Sequence, residues 1–402
     1  MVHTPSLLNL RGSEFWVIDV SNLLSDESFD VRVVDFDYAR LYPKDPKEIR
    51  RRLAVLDKAF GKEIPLTRLA ALGLRLPFSR YWRGTSIEAG VDRYLHFLPL
   101  SRRFLGMLHD SDVVYFVVSQ GSPTYLMVAL GMSVLAGWKP VVAGFHVTPR
   151  IRTQELALLK LAAWAGLLKA VHTVNESHRG DLQRIGCRVE YIPNGVQYSK
   201  FESDVQEKAA QGRFTVLFVG AMTRAKGADL LPEIYRSLRN QGIDFTLVIC
   251  TSGGEYADEI KNWADGTRDV LYRGFVERSE LPKLYAQASV AVFPSRREGF
   301  PLACLEVQAG GTPVVVSDVP GLTQCVAKGE TGVVADGYDA SSFGSAVGEI
   351  FSLWRSDREA YLAMCKKAQM NVRDRFQWTG AVERLARLLR SAQRGSGALP
   401  ES

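Results

Sequence analysis

Cysteine is scarce in this sequence and is not placed where it could build a scaffold. The 402 residues hold five cysteines, which stand far apart: Cys187, Cys250, Cys304, Cys325 and Cys365. There is no C-x-x-C pair and no cluster of cysteine with histidine, so neither a disulfide framework nor a zinc-binding module is expected. Scattered thiols are typical of a reducing compartment, and we expect a cytoplasmic protein.

Long apolar runs are also missing, with one segment as the exception. Residues 113–138 carry no charged side chain, and that length is compatible with crossing a bilayer. Turn-forming residues from Ser119 to Pro123 interrupt the segment, however. We therefore expect a buried strand over 113–118 and a helix over 124–135 instead of a membrane span. The first ten residues lack a basic segment followed by an apolar run, so no signal peptide is expected.

Internal repeats and a G-x-G-x-x-G fingerprint are absent too. What the chain does have is a globular composition, 46% hydrophobic and 23% charged, at a length for which two domains are the default. Short apolar runs alternate with helical patterns along most of it, which predicts an α/β protein with parallel, doubly wound sheets. The predicted strands are residues 31–34, 113–118, 139–146 (ending in a loop histidine), 170–174, 189–192, 214–219, 245–250, 270–272, 290–293 and 314–316, and the main helices are 124–135, 156–168, 177–185, 256–263, 279–286, 302–309, 341–353, 358–373 and 378–392.

Positive charge is concentrated in one part of the chain. The formal net charge is +6, but residues 38–104 hold 15 Lys and Arg against 6 Asp and Glu. Such an excess, interleaved with aromatic residues, predicts attraction to an anionic membrane surface or another polyanion. A solvated basic helical face is the alternative. Apolar spacing within the region predicts helices over 47–60 and 66–74.

The most informative stretch begins after the strand predicted at 290–293. Gly299 and Pro301 punctuate a sharp turn, and Pro301 suits the first position of a helix. A short helix then runs to Gly310, and a strand follows at 314–316. Such a turn directs backbone N–H groups and the positive end of a helix toward a phosphate or diphosphate.

Two carboxylates accompany this turn. Glu298 stands in it, and Glu306 lies about two helical turns further on, at roughly the same side of the helix. Carboxylates do not grip phosphates, but they accept hydrogen bonds from hydroxyls such as those of a ribose and a hexose. A helix start that can bind phosphate, beside carboxylates that can bind hydroxyls, predicts a nucleotide-sugar pocket.

The E-x7-E spacing, the E-G-F-P turn and the G-x-P-V turn resemble those of the retaining glycosyltransferases of family 4, which have the GT-B fold. The resemblance implies two Rossmann-like domains facing a cleft, with the donor held mainly by the second. It places the first domain at 1–195, the second at 196–373, a helix crossing back to the first domain at 374–392 and a frayed tail at 393–402. A P-N-G-V turn at Pro193 resembles the family's domain junction, so we expect a linker over 195–212.

By the same resemblance Glu298 lies near the donor sugar and Glu306 binds the ribose. The neighbouring turn residues are candidate donor contacts: Gly299, Phe300, Pro301 and Leu302. Phe275 and Val276, after the strand at 270–272, are expected near the nucleotide base. The base itself is left open, as are the donor sugar and the acceptor.

A second glycine-bounded loop, from Gly220 to Gly227, carries cations and resembles the family's G-R-x4-K-G loop. Lys226 matches the lysine of that pattern and can neutralise a diphosphate that gains negative charge in the transition state. Ala221 stands where the family has its arginine. Arg224 is the candidate to replace it.

Two positions of the first domain also match the family. His146, in a loop after a predicted strand, corresponds to a histidine beside the reacting sugar. A neutral imidazole there could accept or donate a hydrogen bond to a sugar hydroxyl, or stabilise positive charge through its dipole. Gly12 would let the backbone approach the donor phosphates or the acceptor, although Arg11 stands where the family has a glycine.

We therefore predict a glycosyltransferase of the hexosyltransferase type that moves a sugar from a nucleotide-sugar donor to an acceptor hydroxyl with retention. Glu298, His146 and Lys226 are the predicted catalytic residues. The acceptor is expected to be a glycan, a lipid-linked saccharide or a small molecule. Two alternatives stay open: a non-catalytic nucleotide-sugar-binding subunit of a glycosylation complex, and a nucleotide-sugar epimerase of the same fold.

No cofactor and no metal are expected beyond the nucleotide sugar itself. Asp35 and Asp37 form a D-x-D, which binds a metal in the other glycosyltransferase fold, but a loop that caps a strand explains it here. Nucleic acid is not an expected partner. Peripheral contact with the inner face of a membrane through residues 38–104 is a hypothesis drawn from their charge.

Overall fold

The computed structural model describes residues 2–4, 12–37, 66–70, 102–118, 123–146 and 151–394. These residues divide into two compact units. The described residues up to Ile192, together with those from Val382 onward, form the first unit, and Pro193–Ala381 forms the second. The division falls three residues before the boundary at 195 and 196 that the sequence predicts.

The first unit is built on a seven-stranded parallel sheet with the strand order β3-β2-β1-β4-β5-β6-β7. Its strands are β1 (Val2–Thr4), β2 (Val33–Asp37), β3 (Leu66–Ala70), β4 (Val114–Val118), β5 (Val141–Phe145), β6 (Leu168–Thr173) and β7 (Arg188–Tyr191). Its helices are α1 (Gly12–Asp26), α2 (Arg102–His109), α3 (Pro123–Leu135), α4 (Thr153–Trp164) and α5 (Arg179–Gln183). Asp35 and Asp37 therefore lie within β2, where the sequence predicted a loop after the strand.

The second unit has a six-stranded parallel sheet with the order β10-β9-β8-β11-β12-β13. The strands are β8 (Phe214–Val219), β9 (Phe245–Cys250), β10 (Val270–Gly274), β11 (Val290–Phe293), β12 (Val314–Val316) and β13 (Gly332–Val334). The helices are α6 (Leu231–Asn240), α7 (Ala257–Asp265), α8 (Leu281–Gln287), α9 (Leu302–Ala309), α10 (Pro320–Thr323), α11 (Ala340–Ser356) and α12 (Arg358–Arg375), and α13 (Trp378–Gln393) follows.

Helices cover both faces of a doubly wound sheet, and the central strands are buried accordingly. All residues of β4, β5, β11 and β12 are buried. Their unbroken valine-rich runs, without polar alternation, are the pattern that a two-faced parallel sheet produces. The prediction of α/β domains with parallel sheets is confirmed. The uncharged segment at 113–138 forms β4 and α3, and none of the described helices is long and apolar enough to cross a membrane.

One secondary-structure prediction was wrong: Leu66–Ala70 is a strand that pairs with β2 in parallel register, where a helix over 66–74 was expected. Leu66, Leu69 and Ala70 have helical spacing, but a short apolar run fits a strand equally well, and pairing with β2 decides between them. The predicted helix at 47–60, most of the basic region 38–104 and residues 395–402 of the tail lie outside the described residues.

The segment predicted as a linker, 195–212, belongs to the second unit and packs closely against it. Its Lys208 is 1% exposed. The ammonium donates to the carbonyls of Ala286 and Ala288 and to the hydroxyl of Thr312, at 2.7 to 2.8 Å. The ammonium thereby joins the donors that satisfy carbonyls at the end of α8, which lack partners within the helix, and burial lowers its pKa to about 8. This buried, hydrogen-bonding role of Lys208 was not predicted, because a lysine in a sequence suggests a solvent-exposed position.

The last helix, α13, belongs to the second unit at its start and to the first unit from Val382 onward. Within the first unit Arg384 donates to the carbonyl of Tyr191, and Arg390 donates to the carbonyl of Glu27 at 2.9 Å. These two arginines tie the end of the chain to β7 and to the loop after α1.

Candidate functional site

In the second unit the strand order reverses between β8 and β11, which lie side by side while their neighbours run outward in opposite directions. Open parallel sheets bind ligands beyond the carboxyl ends of the strands at such a point. The loop after β8 carries Arg224 and Lys226, and the turn after β11 carries Glu298. The topology therefore brings together the two segments that the sequence selected.

Backbone and side-chain contacts join this loop to this turn. The amide of Arg296 donates to the carbonyl of Ala225 at 2.8 Å, and its guanidinium donates to the carbonyl of Arg224 at 2.8 Å. The same guanidinium makes a bidentate pair with Asp229 at 2.7 and 2.9 Å, the geometry in which arginine binds carboxylates best. Neither Arg296 nor Asp229 was selected from the sequence.

Gly227 sets how closely the two segments approach. Its φ of +71° lies in the left-handed region, which residues with a Cβ rarely adopt. A Cβ at this position would also overlap the carbonyl oxygen of Pro294. The glycine after Lys226 thus allows the loop to lie directly on the turn.

The result of this packing is an ion pair between Lys226 and Glu298. The ammonium lies 2.6 and 2.7 Å from the two carboxylate oxygens, and Ser295 donates to one of them at 2.8 Å. The Glu298 side chain is 7% exposed and that of Lys226 is 35% exposed. An ammonium has three N–H donors, so Lys226 can hold Glu298 and still offer a donor to an anion.

The turn at Glu298 and Gly299 packs directly against Gly321, at the start of α10. A Cβ there would lie 2.5 Å from the carbonyl oxygen of Glu298 and 2.6 Å from that of Gly299, so only a glycine fits under this turn. The sequence predicted Pro301 at the first position of the helix, whereas in the structure it is the N-cap and α9 begins at Leu302.

No side chain of the described part of the chain caps α9 at Pro301. Its first-turn amides therefore keep the partial positive charge of a helix start. Leu302, the first helical residue, is buried, as is Phe300, whose ring packs on Phe376 at 5.5 Å between centroids. Phe300 can offer only its backbone, and its carbonyl already accepts a hydrogen bond from Asn194 at 2.8 Å.

Glu306 occupies the middle of α9 and is 7% exposed. Tyr285 donates to one carboxylate oxygen at 3.1 Å, and Arg278 lies 3.6 Å from the other. Burial, together with the carboxylate, raises the pKa of Tyr285 well above its usual value, so this hydroxyl remains a donor. Phe275 and Val276 are half-buried in the segment between β10 and Arg278, which brings the predicted base-binding residues into the neighbourhood of Glu306.

The loop after β8 departs from the family's pattern at Ala221, which stands where the family has an arginine. Arg224 is the candidate replacement. Ala221 is buried. Arg224 is exposed, and its backbone amide donates to Glu255 at 2.9 Å while its backbone carbonyl accepts from Arg296. The backbone at Arg224 is thus fixed from two sides and its side chain faces solvent.

In the first unit His146 follows β5 directly and is 8% exposed. Its Nε2 lies 3.2 Å from the hydroxyl of Tyr115, and its ring packs on Trp16 at 4.2 Å between centroids. The tyrosine also bonds His172. Trp16, Tyr115 and His172 were not selected from the sequence, since their positions on α1, β4 and β6 are compatible with ordinary core packing.

Two further predictions concern Gly12 and metal binding. Gly12 is the first residue of α1, while Arg11 lies outside the described residues. Within the described ranges no group of three or more His, Cys, Asp or Glu side chains is arranged to hold a metal ion.

Known proteins resemble this chain in sequence and in fold. Residues 199–369 match the family of glycosyl transferases group 1, a range that includes both Lys226 and Glu298. A GDP-mannose-dependent alpha-(1-6)-phosphatidylinositol monomannoside mannosyltransferase of Mycolicibacterium smegmatis is 27% identical over 312 residues, which are 72% of this chain and 78% of the relative. A D-inositol 3-phosphate glycosyltransferase of Corynebacterium urealyticum is 30% identical over 223 residues, 51% of this chain and 51% of the relative.

Among solved structures, HepE of Anabaena in complex with UDP and glucose superposes with a TM-score of 0.71. The two sequences are 18% identical, and the match covers 97% of this chain and 98% of that one. At this identity the likeness concerns the fold alone. The family match, the relatives and the fold agree with one another: residues 199–369, within the second unit, match the group 1 glycosyltransferases, and the chain has the GT-B fold.

Proposed function

We propose that this glycosyltransferase moves a hexosyl group from a nucleoside-diphosphate sugar to an acceptor hydroxyl, with retention of the anomeric configuration. The contact that carries the proposal is that of Lys226 with both oxygens of Glu298, at 2.6 and 2.7 Å, beside the start of α9. A cation for phosphate, a carboxylate for hydroxyls and an uncapped helix start in one place suit a nucleotide sugar.

In the proposed reaction the bond between the anomeric carbon and the diphosphate breaks, and the acceptor oxygen bonds to that carbon. Lys226, Arg224 and the first-turn amides of α9 stabilise the negative charge that the departing diphosphate gains. The acceptor proton passes to an oxygen of that diphosphate. No dedicated base and no metal ion are needed for this balance of charge and protons.

The remaining site residues bind and orient the donor. Glu298, fixed by Lys226 and Ser295, accepts hydrogen bonds from hydroxyls of the sugar. Glu306, fixed by Tyr285 and Arg278, accepts from the ribose. His146 contacts the sugar with a neutral imidazole, because burial lowers its pKa well below the usual value.

The relatives suggest which substrates to try first. The Mycolicibacterium smegmatis protein is named for GDP-mannose and a phosphatidylinositol monomannoside, and the Corynebacterium urealyticum protein for an inositol phosphate. We propose a GDP- or UDP-linked hexose as donor and a hydroxyl of a glycan, a lipid-linked saccharide or a phosphorylated polyol as acceptor.

The test is a thermal-shift screen against UDP-, GDP- and ADP-sugars, followed by measurement of free nucleotide and by NMR of the anomeric configuration in the product. A donor that stabilises the protein and is consumed when acceptor is added supports transfer. Stabilisation without turnover supports the binding-subunit alternative. Conversion of the donor to an epimeric nucleotide sugar without transfer supports the epimerase alternative.

Peripheral membrane contact remains part of this proposal. The charge excess of residues 38–104 supports it, and so does the surface of α4, where Leu158, Leu161 and Trp164 are exposed, Trp164 by 85%. Exposed tryptophan and leucine beside Lys160 suit the boundary between headgroups and acyl chains. Co-sedimentation with anionic vesicles that exceeds that with neutral vesicles, and that decreases in Trp164→Ser, supports the contact. Equal sedimentation with both kinds of vesicle contradicts it.

A further inference from the structure

Three ring side chains of the first unit meet across a single glycine. Tyr115 lies on β4 and His172 on β6, and the strand between them, β5, pairs with both and places Gly144 directly beside His172. A Cβ at position 144 would overlap the Tyr115 hydroxyl. The glycine therefore lets the tyrosine reach across β5, where its hydroxyl lies 2.6 Å from Nδ1 of His172. His146 lies two residues beyond Gly144 along the chain. Because residues two apart along an extended chain point to the same face of a sheet, it belongs to the face on which Gly144 leaves room.

This cluster is buried and electrically neutral. Tyr115, His146 and His172 are 2%, 8% and 1% exposed. Burial raises the pKa of Tyr115 and lowers the pKa of both histidines, that of His172 to about 4. The groups that face them do not reverse this, since Trp16 is uncharged and the charge of Arg384 lowers the pKa of His172 further.

The donor and acceptor of each hydrogen bond in the cluster follow from the bond between His172 and a backbone carbonyl. Nε2 of His172 lies 2.9 Å from the carbonyl oxygen of Ile192. A carbonyl only accepts, so this nitrogen carries the proton. A neutral imidazole has one N–H, and Nδ1 of His172 must therefore accept. The tyrosine hydroxyl donates to it.

The same reasoning reaches His146. The Tyr115 hydroxyl has used its single proton, so its oxygen is the acceptor for Nε2 of His146 at 3.2 Å. Nε2 of His146 then carries the proton, and Nδ1 does not. No residue of the described part of the chain hydrogen-bonds this Nδ1.

Building on the proposed function, in which His146 contacts the sugar, we propose that Tyr115 and His172 are positioning residues that fix His146 as its Nε2–H tautomer. Nδ1 of His146 is then a hydrogen-bond acceptor for a substrate hydroxyl. The arrangement excludes a role for His146 as a proton donor to the leaving phosphate. A histidine without this relay could present either nitrogen.

The direct test is NMR of the full chain labelled with ¹⁵N in histidine, because ring-nitrogen shifts distinguish protonated from unprotonated nitrogens. The sequence contains six histidines, and the spectra of His146→Gln and His172→Gln assign the two of interest. We expect both to be Nε2–H tautomers from pH 6 to 8. Protonation of His146 at Nδ1 in the wild-type protein overturns the proposal. This readout does not require any turnover, so it remains valid even if the proposed activity fails.

The functional test compares two substitutions of the same kind. Tyr115→Phe keeps the ring and removes the hydroxyl, and we expect kcat to fall about tenfold with little change in the KM for the donor. Tyr361→Phe removes a buried hydroxyl that donates to the carbonyl of Ser289 at 2.9 Å in the second unit, and we expect an unchanged kcat. His172→Gln, whose amide can both donate and accept, should retain more activity than His172→Leu. Equal kcat values for Tyr115→Phe and Tyr361→Phe contradict the proposal.

Discussion

The two units carry functional clusters of opposite electrostatic character. In the second unit Lys226 is paired with Glu298 at hydrogen-bond distance, and Arg278 lies 3.6 Å from Glu306. In the first unit His146, Tyr115 and His172 form a hydrogen-bonded chain of neutral groups. The chain ends at the backbone carbonyl of Ile192.

The difference fits what each cluster is proposed to bind. A diphosphate brings negative charge, and a cation whose position is fixed by a carboxylate, as that of Lys226 is by Glu298, can receive it without reorganising. A sugar ring brings hydroxyls, whose orientation depends on which partner donates and which accepts. A neutral, tautomer-fixed histidine selects that orientation, while a charged one would donate from both nitrogens.

The largest expected effect breaks the charged cluster. Glu298→Ala should lower kcat about 10²- to 10³-fold, because it removes the sugar-binding carboxylate and releases Lys226 from its position. Steady-state kinetics with the donor found in the screen measures this loss. The matched control is Glu330→Ala, which breaks the ion pair with Lys367 at 3.3 Å, where both side chains are more than half exposed. Such a surface pair contributes little, so its kcat should equal that of the wild type. Equal rates for Glu298→Ala and the control would remove Glu298 from the site.

The next effect concerns the neutral cluster and the pH dependence of stability. His172 has a pKa of about 4 in the folded protein against an ordinary value of 6.5, so the unfolded chain binds the extra proton between these values. Stability is therefore fully present above pH 6.5 and decreases as the pH falls toward 4, by about 3 kcal/mol from this residue. The lowered pKa of His146 acts in the same direction.

Urea unfolding at intervals between pH 4 and 7 measures this slope. His172→Gln should flatten it, whatever the variant's stability at pH 7, because glutamine does not titrate. A slope in His172→Gln as steep as in the wild type would mean that His172 is protonated in the folded state, and the neutral cluster would lose its basis.

The sequence predicted the second unit far better than the first. β8, β9, β11 and β12 have the bounds that their apolar runs predicted, because runs rich in β-branched and aromatic residues that end at a polar residue, glycine or proline leave little choice. Lys226 and Glu298, which the structure brings together, were selected because a diphosphate site is expected to need charged residues at glycine-bounded turns. Arg296 and Asp229, which join the two segments, were missed since their pairing depends on the sheet order and not on spacing along the chain.

The neutral cluster illustrates the opposite case. Tyr115 and His172 lie 57 residues apart in sequence, within apolar strands where either residue is compatible with simple packing. Gly144 was the only available signal, since a glycine inside a strand often marks a close approach of another group. What the sequence could not supply is the register that places this glycine between the two rings.

A smaller effect tests how Glu306 is held. Tyr285→Phe removes the hydroxyl that donates to Glu306 at 3.1 Å. We expect the KM for the donor to rise severalfold with kcat nearly unchanged, because a ribose contact is made equally in the ground state and the transition state. Nucleotide titration by calorimetry should show the same loss of affinity. A decrease in kcat alone would place Glu306 at the reacting sugar instead.

The smallest effect concerns Arg224, whose side chain is exposed while its backbone carries the contacts that hold the loop. Because alanine preserves those backbone contacts, Arg224→Ala should leave stability unchanged and should raise the KM for the donor by about two- to fivefold, the effect of one solvent-screened phosphate contact. The loss should shrink as salt is raised from 50 to 500 mM, since screening weakens the wild-type contact. Arg297→Ala, a neighbouring exposed arginine on the other segment, is the control and should have no effect. If both substitutions raise KM equally, the second unit attracts the diphosphate through its general positive field, and Arg224 does not replace the arginine that the family carries at the position of Ala221.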